Sequence, residues 1–179
     1  MSYLNPKNTA SLLLLLGPPI SITAHAEIYM SADQAAQIFF PNQVFKKKSV
    51  ALTNDEKNKI ESLTKNSVKS NHLDLLISQQ SNVVIVDQVI GKHELITYAI
   101  GLTKEGKIQG LEIMEYRESY GHQVRREAWR KQFTGKDVSA PLQLNKDIKN
   151  LSGATLSSSH ITDGVRRILQ TYEQIKSKL

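Results

Sequence analysis

The chain has 179 residues, of which 22% are charged, so it has the size and composition of one folded globular domain and not of a collagen-like or disordered segment. Cysteine is absent, which excludes disulfides, thiolate metal sites and thiol catalysis. Lysine and arginine outnumber aspartate and glutamate by 23 to 17, but only 6% of residues are aromatic, so nucleic acid is not an expected partner.

The first 26 residues have the three parts of a secretory signal peptide. Lys7 lies in a short polar start, an apolar run follows at residues 12–16, and small residues lead to Ala26. The run is far shorter than the roughly 20 residues that span a bilayer. We therefore predict cleavage after Ala26, export to a bacterial periplasm, and a mature chain of 153 residues with a net charge of +5. An uncleaved anchor, with membrane association, is the alternative.

Residues 27–81 are predicted to form an N-terminal helical segment. Apolar residues recur at helical spacing after Ser31, and Pro41 ends the pattern. Thr53 and Glu56 have the spacing of a capping box, in which the Thr side chain accepts the Glu amide and the Glu side chain reaches back. We expect one helix after each of these two caps, the second running to about residue 65.

Two stretches of this segment have less regular patterns. Residues 44–52 mix apolar residues with the lysine triplet at 46–48, which indicates an extended basic segment. Residues 66–81 are polar except for a group of apolar residues at 73–77. That group is compatible with a short helix or a short strand, and both remain open.

Beyond this segment the apolar pattern changes to a period of two and β-branched residues become frequent. Residues 83–90, 93–102 and 107–116 are strand candidates, separated by short turns that contain Gly91 and Gly106. Short turns make neighbouring strands antiparallel, so the three strands should form a meander. Strands between helices, without βαβ alternation, predict an α+β fold: an antiparallel sheet meander packed with helices.

A loop and a long helix are predicted for the C-terminal part. Pro141 and the polar stretch 145–150 indicate the loop. One apolar face then marks the helix: Ile161, Val165, Ile168, Leu169, Tyr172 and Ile175.

The segment that opens this helix, residues 151–159, reads LSGATLSSS. Unpaired amides and the helix dipole favour an anion such as phosphate at a helix start, and Gly153 and Ala154 would let a bulky ligand approach the backbone. Judged by residue types alone, an ordinary N-cap loop rich in serine and threonine is the simpler interpretation.

Residues 152–158, SGATLSS, resemble the flavinylation motif of the FMN-binding domain family, known from the C subunit of the sodium-pumping NADH:quinone reductase and the G subunit of the Rnf complex. In that family the last Thr of the motif receives FMN through a phosphoester bond, which a periplasmic flavin transferase installs. The resemblance implies that Thr155 is the attachment residue. It also implies that the cofactor contacts the rest of the motif: Ser152, Gly153, Ala154, Leu156, Ser157 and Ser158.

A second element supports the same resemblance. Residues 118–121, followed by Trp129, Gln132, Phe133 and residues 135–136, are similar to the family's Glu-Thr-Pro-Gly element and its downstream run. The resemblance covers roughly residues 82–169, so residues 82–179 are predicted as the FMN-binding core. The residues that it adds to the expected cofactor site are Glu118, Tyr120 and Gly121.

The chain departs from the family pattern at two places. Lys149 stands where the wider flavinylation pattern has an Asp, six positions before the Thr, and the nearest acidic residue is Asp147. Ser119 and Tyr120 replace the Thr-Pro of the second element. Covalent attachment of FMN to Thr155 is the expectation, and tight noncovalent binding is the alternative.

The resemblance implies an exported flavoprotein that transfers electrons between a membrane-bound or cytochrome-type redox partner and a periplasmic acceptor, and that is not an enzyme by itself. Two alternatives stay open. One is a cofactor-free periplasmic binding or assembly module with the same fold, and the other is a flavin reductase with its own substrate.

Other candidate sites have weaker patterns. The densest basic patch, residues 125–131, is either a solvated helix face packed by Trp129 and Phe133, or a docking surface or flavin-phosphate contact of Arg125, Arg126 or Lys131. The histidines are scattered without metal-ligand spacing. A hydrolase that uses Ser158, His160 and Asp163 is disfavoured, because these residues are local neighbours and the nucleophile elbow is absent.

Overall fold

The computed structural model describes residues 27–179, and the predicted signal peptide, residues 1–26, lies outside them. The α+β fold is confirmed: these residues form a six-stranded antiparallel sheet with helices on both faces. The strands are β1 (Glu27–Ile28), β2 (Phe45–Ala51), β3 (His72–Ser78), β4 (Val83–Ile90), β5 (Leu95–Leu102) and β6 (Ile108–Tyr116). The helices are α1 (Ala32–Phe39), α2 (Asn54–Thr64), α3 (Glu127–Arg130) and α4 (Thr155–Ile175), and short 3-10 turns lie at His122–Arg125, Lys131–Phe133 and Lys176–Lys178.

The predicted meander is present and extends further than predicted. The spatial order of the strands is β1-β6-β5-β4-β3-β2, and every neighbouring pair is antiparallel. β4 begins and ends at the predicted residues, while β5 and β6 begin one or two residues later than predicted. The short turns after β4 and β5 join these strands as hairpins.

The N-terminal segment is not only helical, because it supplies β1, β2 and β3 to the sheet. Residues 45–51 are extended as expected, and β3 resolves the ambiguous stretch at 66–81 as a strand. β3 pairs with β4 from Leu75↔Ile85 to Ile77↔Val83, so one sheet runs across the predicted boundary at residues 81 and 82. The two segments therefore share one sheet and one core.

The helix starts follow the predicted caps. Ser31 caps α1 and Thr53 caps α2, and each forms a complete capping box with the residue three positions on, Gln34 and Glu56. Such caps satisfy first-turn amides and contribute about 1 kcal/mol each.

Within residues 27–179, no helix combines the length and apolar character that crossing a bilayer requires.

Two apolar layers enclose the sheet. The larger lies under α2 and α4 and includes the predicted face of α4, which is fully buried. The smaller lies under α1, where Phe39 packs on the paired glycines Gly101 and Gly110; a Cβ at either would come within 2.7 Å of the Phe39 ring. Burying such a ring contributes about 1.5 to 3 kcal/mol.

An irregularity in the β5–β6 ladder determines where the end of β6 points. The register shifts between Thr97 and Tyr98, so that Met114 is the extra residue of a bulge. Ile113 and Tyr116 therefore both face α4, although they are an odd number of residues apart, while Met114 faces α1. The bulge directs the Tyr116 side chain towards the start of α4.

Candidate functional site

A cavity of about 440 Å³ lies where the β4–β5 turn, the loop after β6 and the start of α4 meet. It brings together the two sequence elements that were predicted to form one site. Eight of the ten predicted residues line it: Glu118, Tyr120, Gly121, Gly153, Ala154, Thr155, Leu156 and Ser157. Ser152 is exposed and Ser158 is fully buried, and neither lines the cavity.

The start of α4 forms one wall of the cavity. Its N-cap residue is Ala154, so no side chain caps the first-turn amides of the helix. Gly153 precedes it with φ at +79°, a conformation that glycine adopts without strain. The interpretation as an ordinary N-cap loop is therefore wrong, because none of the serine and threonine hydroxyls accepts a first-turn amide of this 21-residue helix. The positive end of the helix dipole lies beside the cavity without such a cap.

Thr155 is the first residue of α4, and it is exposed at the cavity. Its hydroxyl oxygen accepts a long hydrogen bond from Nδ2 of Asn150, at 3.4 Å. The sequence pattern predicted Asn150 only as part of a polar loop, because nothing in that pattern linked its amide to the threonine.

Tyr116 connects the end of β6, the loop after it and the start of α4. Its hydroxyl donates to the carbonyl oxygen of Tyr120 at 2.5 Å and lies 3.1 Å from the hydroxyl of Ser157. Burial and the charge of Glu118 raise the pKa of Tyr116, while its hydrogen bond with Ser157 lowers it; the net effect is a raised pKa. The phenol therefore stays protonated at neutral pH and holds strand, loop and helix together.

Gly121, one of the predicted site residues, has to be glycine because the backbone conformation and the neighbouring side chains leave no room for a Cβ. It has φ at +91°, and a Cβ there would clash with the hydroxyl oxygen of Tyr116 and approach Ser157 Oγ to 3.1 Å. Both the backbone conformation and the close approach of the chain exclude a side chain.

Glu118 lines the cavity and binds the β4–β5 turn. Its side chain is only 8% exposed, and Oε1 accepts the backbone N–H groups of His93 and Glu94 at 2.5 and 3.0 Å. Burial raises the pKa of this carboxyl, but the N–H groups of Glu94, His93 and Lys92 together lower it further, so its pKa lies below the ordinary value. The charged carboxylate thereby fixes the β4–β5 turn.

The mouth of the cavity combines apolar and cationic side chains. Tyr120 is 80% exposed and Leu156 is 48% exposed, and both line the cavity. Lys92 and Arg117 also line it, and the Arg117 Nε donates to Glu115 at 2.9 Å. A flat apolar ring and an anionic group are the ligand chemistry that this combination suits.

The basic patch at residues 125–131 lies elsewhere. None of its residues lines the cavity, so the alternative in which Arg125, Arg126 or Lys131 contacts a flavin phosphate is not supported. Trp129 and Phe133 are buried and make an edge-to-face pair at 5.1 Å, as the packed-helix interpretation requires. The cations at the cavity are instead Lys92 and Arg117.

The alternative constellations do not assemble. The Ser158 hydroxyl lies 2.9 Å from Asn150 Oδ1, and Nδ1 of His160 lies 2.5 Å from the carbonyl oxygen of Ile90, so the two residues form no relay. Among residues 27–179, no three His, Asp or Glu side chains are grouped as a metal ion would require. A second cavity, of about 420 Å³, lies beside Asp87 and Arg167 and contains none of the predicted site residues.

Comparisons with known proteins concern the family and the fold. Residues 91–170 match the model of the FMN-binding domain family. The fold is similar to that of NqrC from Shewanella oneidensis, with a TM-score of 0.56 and 12% identity over 79% of this chain and 86% of that one. It is also similar to the C subunit of the Na(+)-translocating NADH-quinone reductase from Parabacteroides distasonis, with a TM-score of 0.53 and 13% identity over 80% and 83% of the chains. No curated protein matches the sequence. At identities of 12% and 13%, the likeness to these structures shows the fold alone. The span that matches the family model, residues 91–170, contains every predicted site residue.

Proposed function

We infer that this protein, which contains a domain of the FMN-binding family in residues 91–170, is an exported electron-transfer flavoprotein with FMN linked to Thr155. One observation carries the proposal: an exposed threonine hydroxyl lies at an uncapped helix start, in a cavity that both family-like elements line. Bound FMN supplies the one- and two-electron chemistry, and the residues of the chain bind and orient it.

The residues at the cavity fit the parts of FMN. The uncapped amides at the start of α4 suit the phosphate, and each favourable contact between a charge and the helix dipole contributes about 0.3 to 1 kcal/mol. Lys92 and Arg117 add positive charge at the same cavity. The exposed side chains of Tyr120 and Leu156 offer apolar surface to the isoalloxazine ring.

A covalent link suits the compartment that we propose. The first 26 residues have the composition of a cleavable signal peptide, so the protein would work in the periplasm, where a lost cofactor is not replaced from a free pool. The chain has no cysteine, so its redox chemistry has to come from a bound group. A periplasmic flavin transferase would install FMN, and the electron partners would be a membrane-bound or cytochrome-type protein and a periplasmic acceptor.

The attachment is tested by producing the protein together with a bacterial flavin transferase. We expect a fluorescent band on a denaturing gel and an intact mass that corresponds to the chain from residue 27 plus one FMN less one water. Thr155→Val should abolish both signals. Thr134→Val, which removes another exposed threonine hydroxyl, should keep them.

Other results would assign other functions. Equal labelling of Thr155→Val would contradict attachment at this residue. A wild-type protein that keeps flavin through gel filtration but loses it on denaturation would show noncovalent binding, and no flavin at all would favour the cofactor-free module. Steady oxidation of a small-molecule electron donor by the purified flavin-loaded protein alone would indicate a flavin reductase.

A further inference from the structure

We propose that the side chain of Asn150 positions the Thr155 hydroxyl for flavin transfer, a role that rests on the proposed function. Asn150 Nδ2 lies 3.4 Å from Thr155 Oγ1. A hydrogen bond to this oxygen selects among the three staggered rotamers of an otherwise exposed threonine. It also occupies one lone pair of the oxygen and leaves the other free to react.

The orientation of the Asn150 amide follows from its other partners. Oδ1 accepts the N–H of Leu151 at 2.8 Å. The buried hydroxyl of Ser158 lies 2.9 Å from this Oδ1 and 2.9 Å from the carbonyl oxygen of Ala154, and it donates to one of these two oxygens. Because the N–H of Leu151 can only donate, the amide oxygen has to face it. The amide nitrogen then faces Thr155.

The residue before Asn150 anchors this arrangement through its backbone. The N–H of Lys149 donates to Gln132 Oε1 at 2.8 Å, and its carbonyl oxygen accepts Trp129 Nε1 at 2.9 Å. Its side chain is exposed. The side chain that contacts the Thr155 hydroxyl is therefore the amide of Asn150, which follows directly on this anchored residue.

The transfer step balances as a phosphoryl-type substitution. The O–H bond of Thr155 breaks and an Oγ1–P bond forms to the FMN phosphorus. Free FMN would have to expel hydroxide, so the donor has to be an activated phosphoanhydride such as flavin adenine dinucleotide. Its P–O–P bridge breaks, the leaving nucleotide monophosphate takes the electron pair, and the proton passes to a base of the transferase or to water. No atom changes oxidation state.

The test measures flavin incorporation with a purified bacterial flavin transferase and flavin adenine dinucleotide, using in-gel fluorescence and intact mass over time. We expect Asn150→Ala to lower the maximal rate of incorporation at least about tenfold, because a misplaced nucleophile loses reactivity more than affinity. The concentration of this protein that gives half the maximal rate should stay within about twofold. Asn150→Asp should be as slow as Asn150→Ala, because a carboxylate can still accept the N–H of Leu151 but has no N–H to donate to Thr155 Oγ1.

Lys149→Ala is the matched control, because it removes a neighbouring exposed side chain and keeps the backbone bonds to Gln132 and Trp129. It should incorporate flavin at the wild-type rate. Wild-type incorporation by Asn150→Ala would overturn the proposal and leave the proposed function intact. An Asn150→Asp variant that incorporates flavin at the wild-type rate would also overturn it, because the donated N–H would then not be needed. Failure of the wild type itself would instead contradict covalent attachment.

Discussion

The hydroxyl of Tyr116 lies 3.1 Å from the hydroxyl of Ser157, which is 41 residues further along the chain. This contact joins the end of β6 to the first turn of α4, and the same phenol donates to the carbonyl oxygen of Tyr120 in the intervening loop. The shape of the candidate cavity therefore depends on a contact between distant segments, made at the point where the bulge turns Tyr116 towards α4.

Substitution of Gly121 tests how tightly this contact is packed. Gly121→Ala should lower the free energy of unfolding by about 3 kcal/mol, because left-handed strain of about 1 to 2 kcal/mol adds to a clash with the Tyr116 hydroxyl. Gly135→Ala is the control: it has φ at +80°, but no atom within 4 Å of the added Cβ, so only the strain of about 1 to 2 kcal/mol applies. Urea unfolding measures both, and equal losses would contradict the packing argument.

Replacement of the Glu118 carboxylate should give a stability difference that depends on pH. Its pKa is lower in the folded protein than its ordinary value of 4.5, so its stabilising effect is complete above that pH and disappears as the pH falls through the folded-state pKa. Glu118→Gln should lose about 1 to 3 kcal/mol at pH 7, where it weakens two charge-assisted hydrogen bonds.

The difference between wild type and Glu118→Gln should shrink steadily below pH 4.5, because wild type then loses the same charge. The other carboxylates titrate in both proteins, so urea unfolding at several pH values isolates this one. A difference that is constant from pH 7 to acid would show that the carboxylate does not clamp the β4–β5 turn.

A glycine inside α4 allows this helix to approach β5. A Cβ at Gly164 would clash with the hydroxyl oxygen of Tyr98, which donates to Asp87 at 2.7 Å, and would lie 2.9 Å from Val89. Gly164→Ala should therefore destabilise the protein by about 3 kcal/mol. Tyr98→Phe removes the clashing oxygen, so the double variant should recover at least about 1 kcal/mol relative to additivity. A double-mutant cycle with additive effects would rule out this contact as the cause.

Two neighbouring cations of the basic patch should differ in their contribution to stability. The Arg130 side chain is 15% exposed, pairs with Glu112 and donates to the carbonyl oxygen of Leu111 at 2.9 Å. Arg130→Ala should cost about 3 kcal/mol, because it leaves a partly buried carboxylate without its partner. Lys131, 70% exposed, pairs with the equally exposed Glu127 four positions earlier, so Lys131→Ala should stay within about 0.5 kcal/mol. Thermal unfolding compares them, and similar losses would refute the distinction.

Local sequence signals predicted a large part of the fold. The capping boxes at Ser31 and Thr53, the period-two pattern of β4 to β6 and the apolar face of α4 each involve residues only a few positions apart. Their energetics are local, so they can be recognised without knowledge of the rest of the chain. β2 and β3 were less clear, because lysines occupy three consecutive positions of the edge strand β2 and hide its alternation.

The candidate site shows the same division between local and distant contacts. The motif at residues 152–155 and the glycine at 121 could be recognised along the chain, but their convergence on one cavity depends on the folded sheet. The hydrogen bond from the His93 N–H to Glu118 and the ion pair of Arg130 with Glu112 join residues that no local sequence pattern links. A side chain at the end of β6 points towards α4 only because a bulge inserts one residue, and the free energy of a bulge depends on the packing of both neighbouring strands.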